Sequence, residues 1–380
     1  MSAAGIISLL NQRGLIVQSS MSNRQMGLSI IIICTAMASV NIAQAMALHA
    51  GRGAWVTLLL TALIFGLMAT VIIRLGRMYE GKTLFEYSRN IAGNAMPYVL
   101  GVFLVLYFIV FDALLCTSLS RMIQANFLFK TPQWALIIVL LPILGIIAHK
   151  GLQVAARLAE IFCIWFLVIV LIIDITMLFE GRLNYLLPLF NISDSGKYLF
   201  SIKDAYPGFL GISVFYLIPM TKQNRKAPRT VFLGIMGVFV YYVLSVYGPY
   251  AMIGVDEIVY HDYALIDAIR LVEYPGIEFL QRVDVLFLTF GLIRTIIGKA
   301  FFYTVIVELL CKMIPKAKRI VIVVIVGVAF ALVTIPLTGV TKVTELLCRI
   351  LSIGGLFAAG VMPLTLFLIA KVKKHGKKNA

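Results

Sequence analysis

About ten runs of roughly twenty apolar residues, set apart by short polar stretches, constrain the fold of this chain more than any motif does. A helix rising 1.5 Å per residue needs about 20 residues to cross a hydrocarbon core about 30 Å thick. The runs cover approximately residues 26–49, 54–75, 96–121, 134–149, 153–178, 204–220, 228–251, 284–310, 319–337 and 343–370, the fourth and sixth being short. Hydrophobic residues make up 61% of the chain and the mean hydropathy is +0.99, which excludes a water-soluble core. The expected fold class is an all-α polytopic membrane protein with about ten transmembrane helices and the lipid bilayer as its surroundings. A single membrane domain, 26–370, follows a cytoplasmic segment, 1–25, and precedes a basic cytoplasmic tail, 371–380.

Charge fixes the orientation of these spans. The formal net charge is +16, yet the basic residues are dispersed in short clusters between apolar runs, so they do not form a nucleic-acid surface. Arg74, Arg77, Lys82 and Arg89 follow span two, Lys150 follows span four, and Lys222, Arg225, Lys226 and Arg229 follow span six. Lys312, Lys316, Lys318 and Arg319 separate spans eight and nine, and Lys371, Lys373, Lys374, Lys377 and Lys378 fill the tail. Every strong cluster therefore falls on one side, which the positive-inside rule makes cytoplasmic, with both termini on it. The first apolar run is too long for a signal-peptide core and is expected to be retained. Of the two long outward loops, 179–203 and 252–283, the second has an amphipathic pattern at Tyr263, Leu265, Ile266, Ile269 and Leu271 that predicts a helix lying across the outer face. Trp55 and Trp134 fall at span ends as interface anchors, while Trp165 is expected to pack within span five.

Ten spans divide into two sets of five, 26–178 and 204–370, and an odd number forces the second set to enter the membrane from the opposite side. That is the 5+5 inverted repeat of transporters whose first helix in each set is broken near the midplane, where half-helix ends hold the substrate. In span six, the run Asp204-Ala205-Tyr206-Pro207-Gly208-Phe209-Leu210-Gly211-Ile212-Ser213 concentrates Pro and Gly. Pro lacks a backbone donor and Gly tolerates non-helical backbone, so Gly208, Phe209, Gly211 and Ser213 are candidate substrate contacts. A proline at the start of a regular helix accounts for the same run. Span one offers Ala38, Ser39 and Asn41, whose polar members compete for backbone hydrogen bonds and support a local break. Small residues for helix packing read equally well there.

Ionisable groups inside spans are the second signal, because a charge in lipid is costly and faces a partner or a pathway. Asp112 in span three, Glu160 in span five, and Arg294 and Lys299 in span eight stand out. Depth reckoned along the spans sets Asp112 level with Arg294 in the outer half and Glu160 level with Lys299 nearer the inside. Two such pairs serve either as structural ion pairs or, at Lys299, as a proton-coupling site. The five cysteines, Cys34, Cys116, Cys163, Cys311 and Cys348, have no metal-ligand spacing and read as small hydrophobes, and no cofactor is expected. The four histidines fall at span ends or in loops, and no phosphate-binding loop or zinc motif occurs, so an enzyme is not expected.

Several short segments resemble bacterial spore-germination permeases. They are Ser22-Asn23-Arg24-Gln25 before span one, Gly81-Lys82-Thr83-Leu84-Phe85-Glu86-Tyr87 after span two, and Gly151-Leu152-Gln153-Val154-Ala155-Ala156-Arg157-Leu158-Ala159-Glu160 entering span five. Asn184-Tyr185-Leu186-Leu187-Pro188 in the outer loop and Glu278-Phe279-Leu280-Gln281-Arg282-Val283-Asp284 entering span eight continue the series, in order, from about residue 22 to 370. The resemblance implies a LeuT-like member of the amino-acid/polyamine/organocation superfamily, in the inner membrane of the spore. It implies the B subunit of a nutrient germinant receptor, an amino acid or similar small nutrient as ligand, and two partners: an A subunit and a lipoprotein C subunit. Related transporters carry glycines at the break of span one, where this chain has Ala36 to Asn41. A proton-coupled amino-acid symporter acting alone, and a passive scaffold or conduit within a complex, are the competing expectations.

Overall fold

The computed structural model describes residues 21–38, 41–272, 283–339 and 341–376. Ser39, the tail residues Lys377 and Lys378, and most of the Glu278 to Asp284 motif lie outside them. Among the described residues the chain is helical, and eight helices are long and apolar enough to cross a membrane. Six are Ala54–Met78, Met96–Asn126, Gln133–Lys150, Leu152–Glu180, Ala227–Met252 and Arg319–Leu337, corresponding to spans two to five, seven and nine. Span eight is Val283–Met313. Span ten runs from Thr341–Leu356 through a π-helical turn at Phe357–Val361 into Met362–Gly376.

Spans one and six are the irregular ones. Span one consists of Asn23–Ala38 and Ile42–His49, two helices bent by 67° from each other. Span six has only the short turn Ile202–Ala205 followed by a 3-10 helix, Tyr206–Leu217. Runs of 3-10 helix beyond three or four residues are uncommon, and inside a bilayer irregular backbone survives only where protein surrounds it. Here all of Tyr206–Leu217 except Pro207 is buried. The Pro-Gly-Gly run therefore produces a tightened, enclosed helix in place of an unwound link between two half-helices.

Span one occupies the centre, with Ile30, Ile32, Ile33 and Cys34 at 0% exposure among spans five, seven and eight and the 3-10 segment. Two glycines let its neighbours come that close. A Cβ at Gly211 would lie 2.5 Å from Ile33 Cγ2, and one at Gly298 would lie 2.5 Å from the Ala36 Cβ. Small residues serve helix contact in membranes in this way, since lipid supplies no hydrophobic drive between helices. The periphery is the reverse: Ile161, Val168, Leu171 and Ile172 of span five and Ile320, Val324 and Val328 of span nine are exposed, forming a lipid-facing belt. Trp165 belongs to that belt at 61% exposure, so it faces lipid instead of packing inside. The amphipathic outer loop folds as Ala264–Arg270, with Leu265, Ile266 and Ile269 buried.

Three of the motif segments act as fasteners at the end bearing the basic clusters. Ser22 and Gln25 form a reciprocal pair at the start of span one, each backbone N–H donating to the other's side chain at 3.1 Å. Gln25 Nε2 donates to Glu160 at 3.1 Å, and Arg24 lies 3.4 Å from the same carboxylate. Thr83 and Glu86 cap the short helix Leu84–Ala92, and Lys312 at the end of span eight donates to Thr83 Oγ1 at 2.7 Å and Glu86 at 3.1 Å.

Candidate functional site

The break in span one opens onto a cavity of ≈ 200 Å³. Ala36, Met37 and Asn41 of span one, Ser118 of span three and Thr295 of span eight line it, with Asp204 from the approach to span six and Tyr263 from the outer loop. Arg294 completes the wall. Sites for drug-sized ligands occupy roughly 300–1,000 Å³, so this one suits a small metabolite. Its wall holds one guanidinium, one carboxylate, an amide and three hydroxyl groups among apolar surfaces. That donor set fits a molecule bearing both an anionic and a cationic group.

Arg294 is held by aromatic neighbours. Its residue is 3% exposed, Nη1 donates to the Tyr241 hydroxyl at 3.0 Å, and Nη2 donates to Thr295 Oγ1 at 3.4 Å. The guanidinium carbon lies 4.5 Å from the Phe166 ring centroid, a cation–π arrangement that favours Arg over Lys. Asp204 Oδ2 lies 3.1 Å from Nδ1 of His49, at the outer end of the broken span.

Behind the cavity, Tyr242 of span seven joins the two irregular spans. Its hydroxyl is 2.7 Å from the Cys34 carbonyl and 3.2 Å from the Gly208 carbonyl, and its ring meets Phe209 edge-on at 5.4 Å. Both acceptors are backbone oxygens of elements with disrupted helical bonding, so the hydroxyl supplies a donor where the ladder is incomplete. Ser213 Oγ donates to the Leu210 carbonyl at 2.8 Å.

Among the described candidate contacts, Asn41 lines the cavity. Gly208, Phe209, Gly211 and Ser213 are buried behind it, against spans one and seven. Ala38 ends the inner half of span one, and Ser39 is outside the described residues. The sequence did not single out Asp204, Ser118, Tyr263 or Thr295 as contacts, although Asp204 opens the Pro-Gly run and Tyr263 the amphipathic pattern, because the four lie on separate segments. Nor did it single out Tyr242, one tyrosine in an aromatic-rich span.

The intramembrane charges pair differently from expectation. Lys299 Nζ donates to Asp112 Oδ1 at 3.3 Å and to the Asp112 carbonyl at 3.2 Å. Glu160 instead meets Arg24 and Gln25, and Arg294 meets Tyr241, Thr295 and Phe166. The reason is helix length: span three continues to Asn126 and span eight starts at Val283, both 31 residues, and Asp112 and Lys299 stand at the middle of each. Antiparallel helices of equal length bring their midpoints together. A further buried carboxyl went unnoticed: Asp174 of span five is 1% exposed, with its Oδ2 unpartnered among the described residues. Among the described residues no group of three or more His, Cys, Asp or Glu side chains is placed to hold a metal ion.

The profile of a family described as "Spore germination protein" matches residues 20–340. Similar proteins include the spore germination protein YndE of Bacillus subtilis (strain 168), 25% identical over 226 residues, 59% of this chain and 62% of YndE. Spore germination protein B2 of the same organism is 26% identical over 238 residues, 60% of this chain and 62% of B2. Both matches thus span less than two thirds of those relatives. Spore germination protein GerLB of Bacillus cereus is 23% identical over 343 residues, 86% of this chain and 87% of GerLB. In three dimensions the chain resembles a Na+-coupled sialic acid symporter in a substrate-bound outward-open state, with TM-score 0.60 and 11% identity, covering 92% of this chain and 78% of that one. At that identity the likeness concerns fold alone, and the fold is the LeuT-like arrangement expected from ten spans. With the family profile matched over most of its length, this membrane protein belongs to the spore-germination permease family.

Proposed function

We propose that the chain is the membrane-embedded B-type subunit of a spore germinant receptor, and that it binds a small zwitterionic nutrient, an amino acid, in the cavity at the break of span one. The observation that carries this reading is the presence of Arg294 and Asp204 on one ≈ 200 Å³ cavity. Arg294 receives the carboxylate and Asp204 the ammonium, while Asn41, Ser118 and Thr295 hydrogen-bond what remains. Binding favours one arrangement of the broken span over another, and an A subunit and a lipoprotein C subunit read the shift. The protein resides in the inner membrane of the spore with both termini cytoplasmic, as the side of its basic clusters supports, and carries out no catalysis.

Screening the purified protein against amino acids, sugars and nucleosides by thermal shift tests the reading. Stabilisation by one or a few amino acids is expected, and it should vanish when the ligand's carboxylate is converted to an amide. Stabilisation only by uncharged sugars would overturn it.

A second reading, a proton-coupled symporter acting alone, is favoured by the buried Asp112–Lys299 pair, since ionisable pairs at mid-depth serve as proton relays in transporters. Proteoliposomes separate the two. Saturable accumulation driven by a pH gradient supports the symporter, and binding without accumulation supports the sensor.

A further inference from the structure

A trough of ≈ 500 Å³ lies on the outside of the bundle between spans four and nine. Its walls are aliphatic, with Ile138 and Ile146 of span four facing Val324 and Val328 of span nine, all four exposed. Its floor is Tyr303 of span eight, 1% exposed, whose hydroxyl donates to the Val323 carbonyl at 2.8 Å. Gly327 keeps the floor open, because a Cβ there would lie 2.9 Å from that hydroxyl. The trough shares no lining residue with the span-one cavity.

One end of the trough differs from the rest. His149 and Lys150 close it, both exposed, and Lys316 and Lys318 are exposed on the turn that leads into span nine. Arg319, beside them, is already engaged by Glu308 at 2.7 Å and by the Ala148 carbonyl at 2.7 Å. Among the described residues no carboxylate forms an ion pair with Lys150, Lys316 or Lys318. An apolar channel parallel to the helices thus closes on Lys150, and the turn that leads into its span-nine wall carries Lys316 and Lys318, none of the three in an ion pair among the described residues. That end is on the face bearing the basic clusters, where the leaflet is anionic.

We propose that this trough binds an anionic phospholipid, one acyl chain lying along spans four and nine and the phosphate resting against Lys150 and Lys318. In a bilayer, filling an apolar trough exchanges one acyl chain for another and gives no selectivity by itself. Selection therefore comes from the charged end, which favours phosphatidylglycerol-type headgroups over zwitterionic ones. The charge complementarity also favours lipid over a transmembrane helix of a partner protein, whose packing would leave the ammonium groups without an anion.

Native mass spectrometry of the full chain, delipidated and titrated with phosphatidylglycerol or phosphatidylcholine of identical acyl chains, tests the proposal. Retention of phosphatidylglycerol in preference is expected, and it should weaken about tenfold or more in Lys150→Glu/Lys318→Glu. Lys226→Glu, an exposed charge on the same face but between spans six and seven, should leave it unchanged. Gly327→Phe, which fills the trough, should abolish retention. If that variant does not fold, the charge variants decide. Equal retention of both lipids, or equal loss in Lys226→Glu, overturns the site. So does a photo-crosslinker at Val324 that captures protein and no lipid in native membranes.

Discussion

The Lys299 ammonium lies 3.3 Å from Asp112 Oδ1, and both side chains are sealed from solvent at 1% and 0% exposure. They join the middles of spans three and eight, so the pair fixes how those two helices slide against each other. A buried pair of this kind is a weak net stabiliser, but removing one member strands the other. Lys299→Met is therefore expected to destabilise by about 3–5 kcal/mol. Lys299→Met/Asp112→Leu should recover much of that loss. Thermal melts of the three proteins in one detergent check it, and a double variant no better than the single one would refute a paired role.

Arg294→Lys keeps the charge in the cavity wall but loses the planar fork and its stacking on Phe166. Affinity for a carboxylate-bearing ligand is expected to fall about tenfold or more, and the unliganded protein to melt lower as the buried bonds to Tyr241 and Thr295 are lost. Calorimetric titration of wild type and variant measures the difference.

Tyr242→Phe removes the donor shared by the Cys34 and Gly208 carbonyls and leaves the ring in place against Phe209. A loss of about 1–3 kcal/mol is expected from the stranded acceptors. Faster hydrogen exchange confined to spans one and six would mark the effect as local, whereas uniform change across the bundle would contradict it.

Glu86, outside the membrane, supplies a pH dependence. Burial works to raise its pKa, but the Thr83 backbone hydrogen bond and the Lys312 ammonium together outweigh burial and hold it below its ordinary 4.5. A carboxyl whose folded pKa is depressed contributes stability that is fully present above the unfolded pKa and lost as pH falls through the folded one. Melting temperature should accordingly decline below about pH 4.5 more steeply in wild type than in Glu86→Gln. Parallel acid profiles for the two would show that the contact contributes nothing.

Asp174 makes no hydrogen bond or ion pair among the described residues, and its Oδ1 lies 3.5 Å from where a Cβ of Gly248 would be. An isosteric neutral amide removes the penalty of a lone carboxyl in that setting. Asp174→Asn is expected to melt at or above the wild-type temperature, and a marked drop would mean that the carboxyl has a partner outside the described residues.

The helical membrane fold and the order of its long spans were legible because each apolar run had to be long enough to cross lipid, and that requirement leaves few alternatives. The polar cavity was not, because Asp204, Ser118, Tyr263 and Arg294 come from four segments that meet only when the bundle closes. Asp112 and Lys299 were visible as residues but mispaired, since truncating span three at 121 instead of 126 shifted Asp112 away from mid-helix. Gly211 shows the same limit: the sequence suggests loosened backbone, whereas its use here is close contact with Ile33.

Span eight is one uninterrupted rod that carries Arg294 at the cavity and Lys312 about 27 Å away, at 1.5 Å per residue, where it grips Thr83 and Glu86. Any tilt imposed on the rod at its cavity end must therefore be felt by the surface helix Leu84–Ala92. Leverage along one rigid helix thus couples the cavity to the face bearing the basic clusters, with no gap in the bundle needed between them.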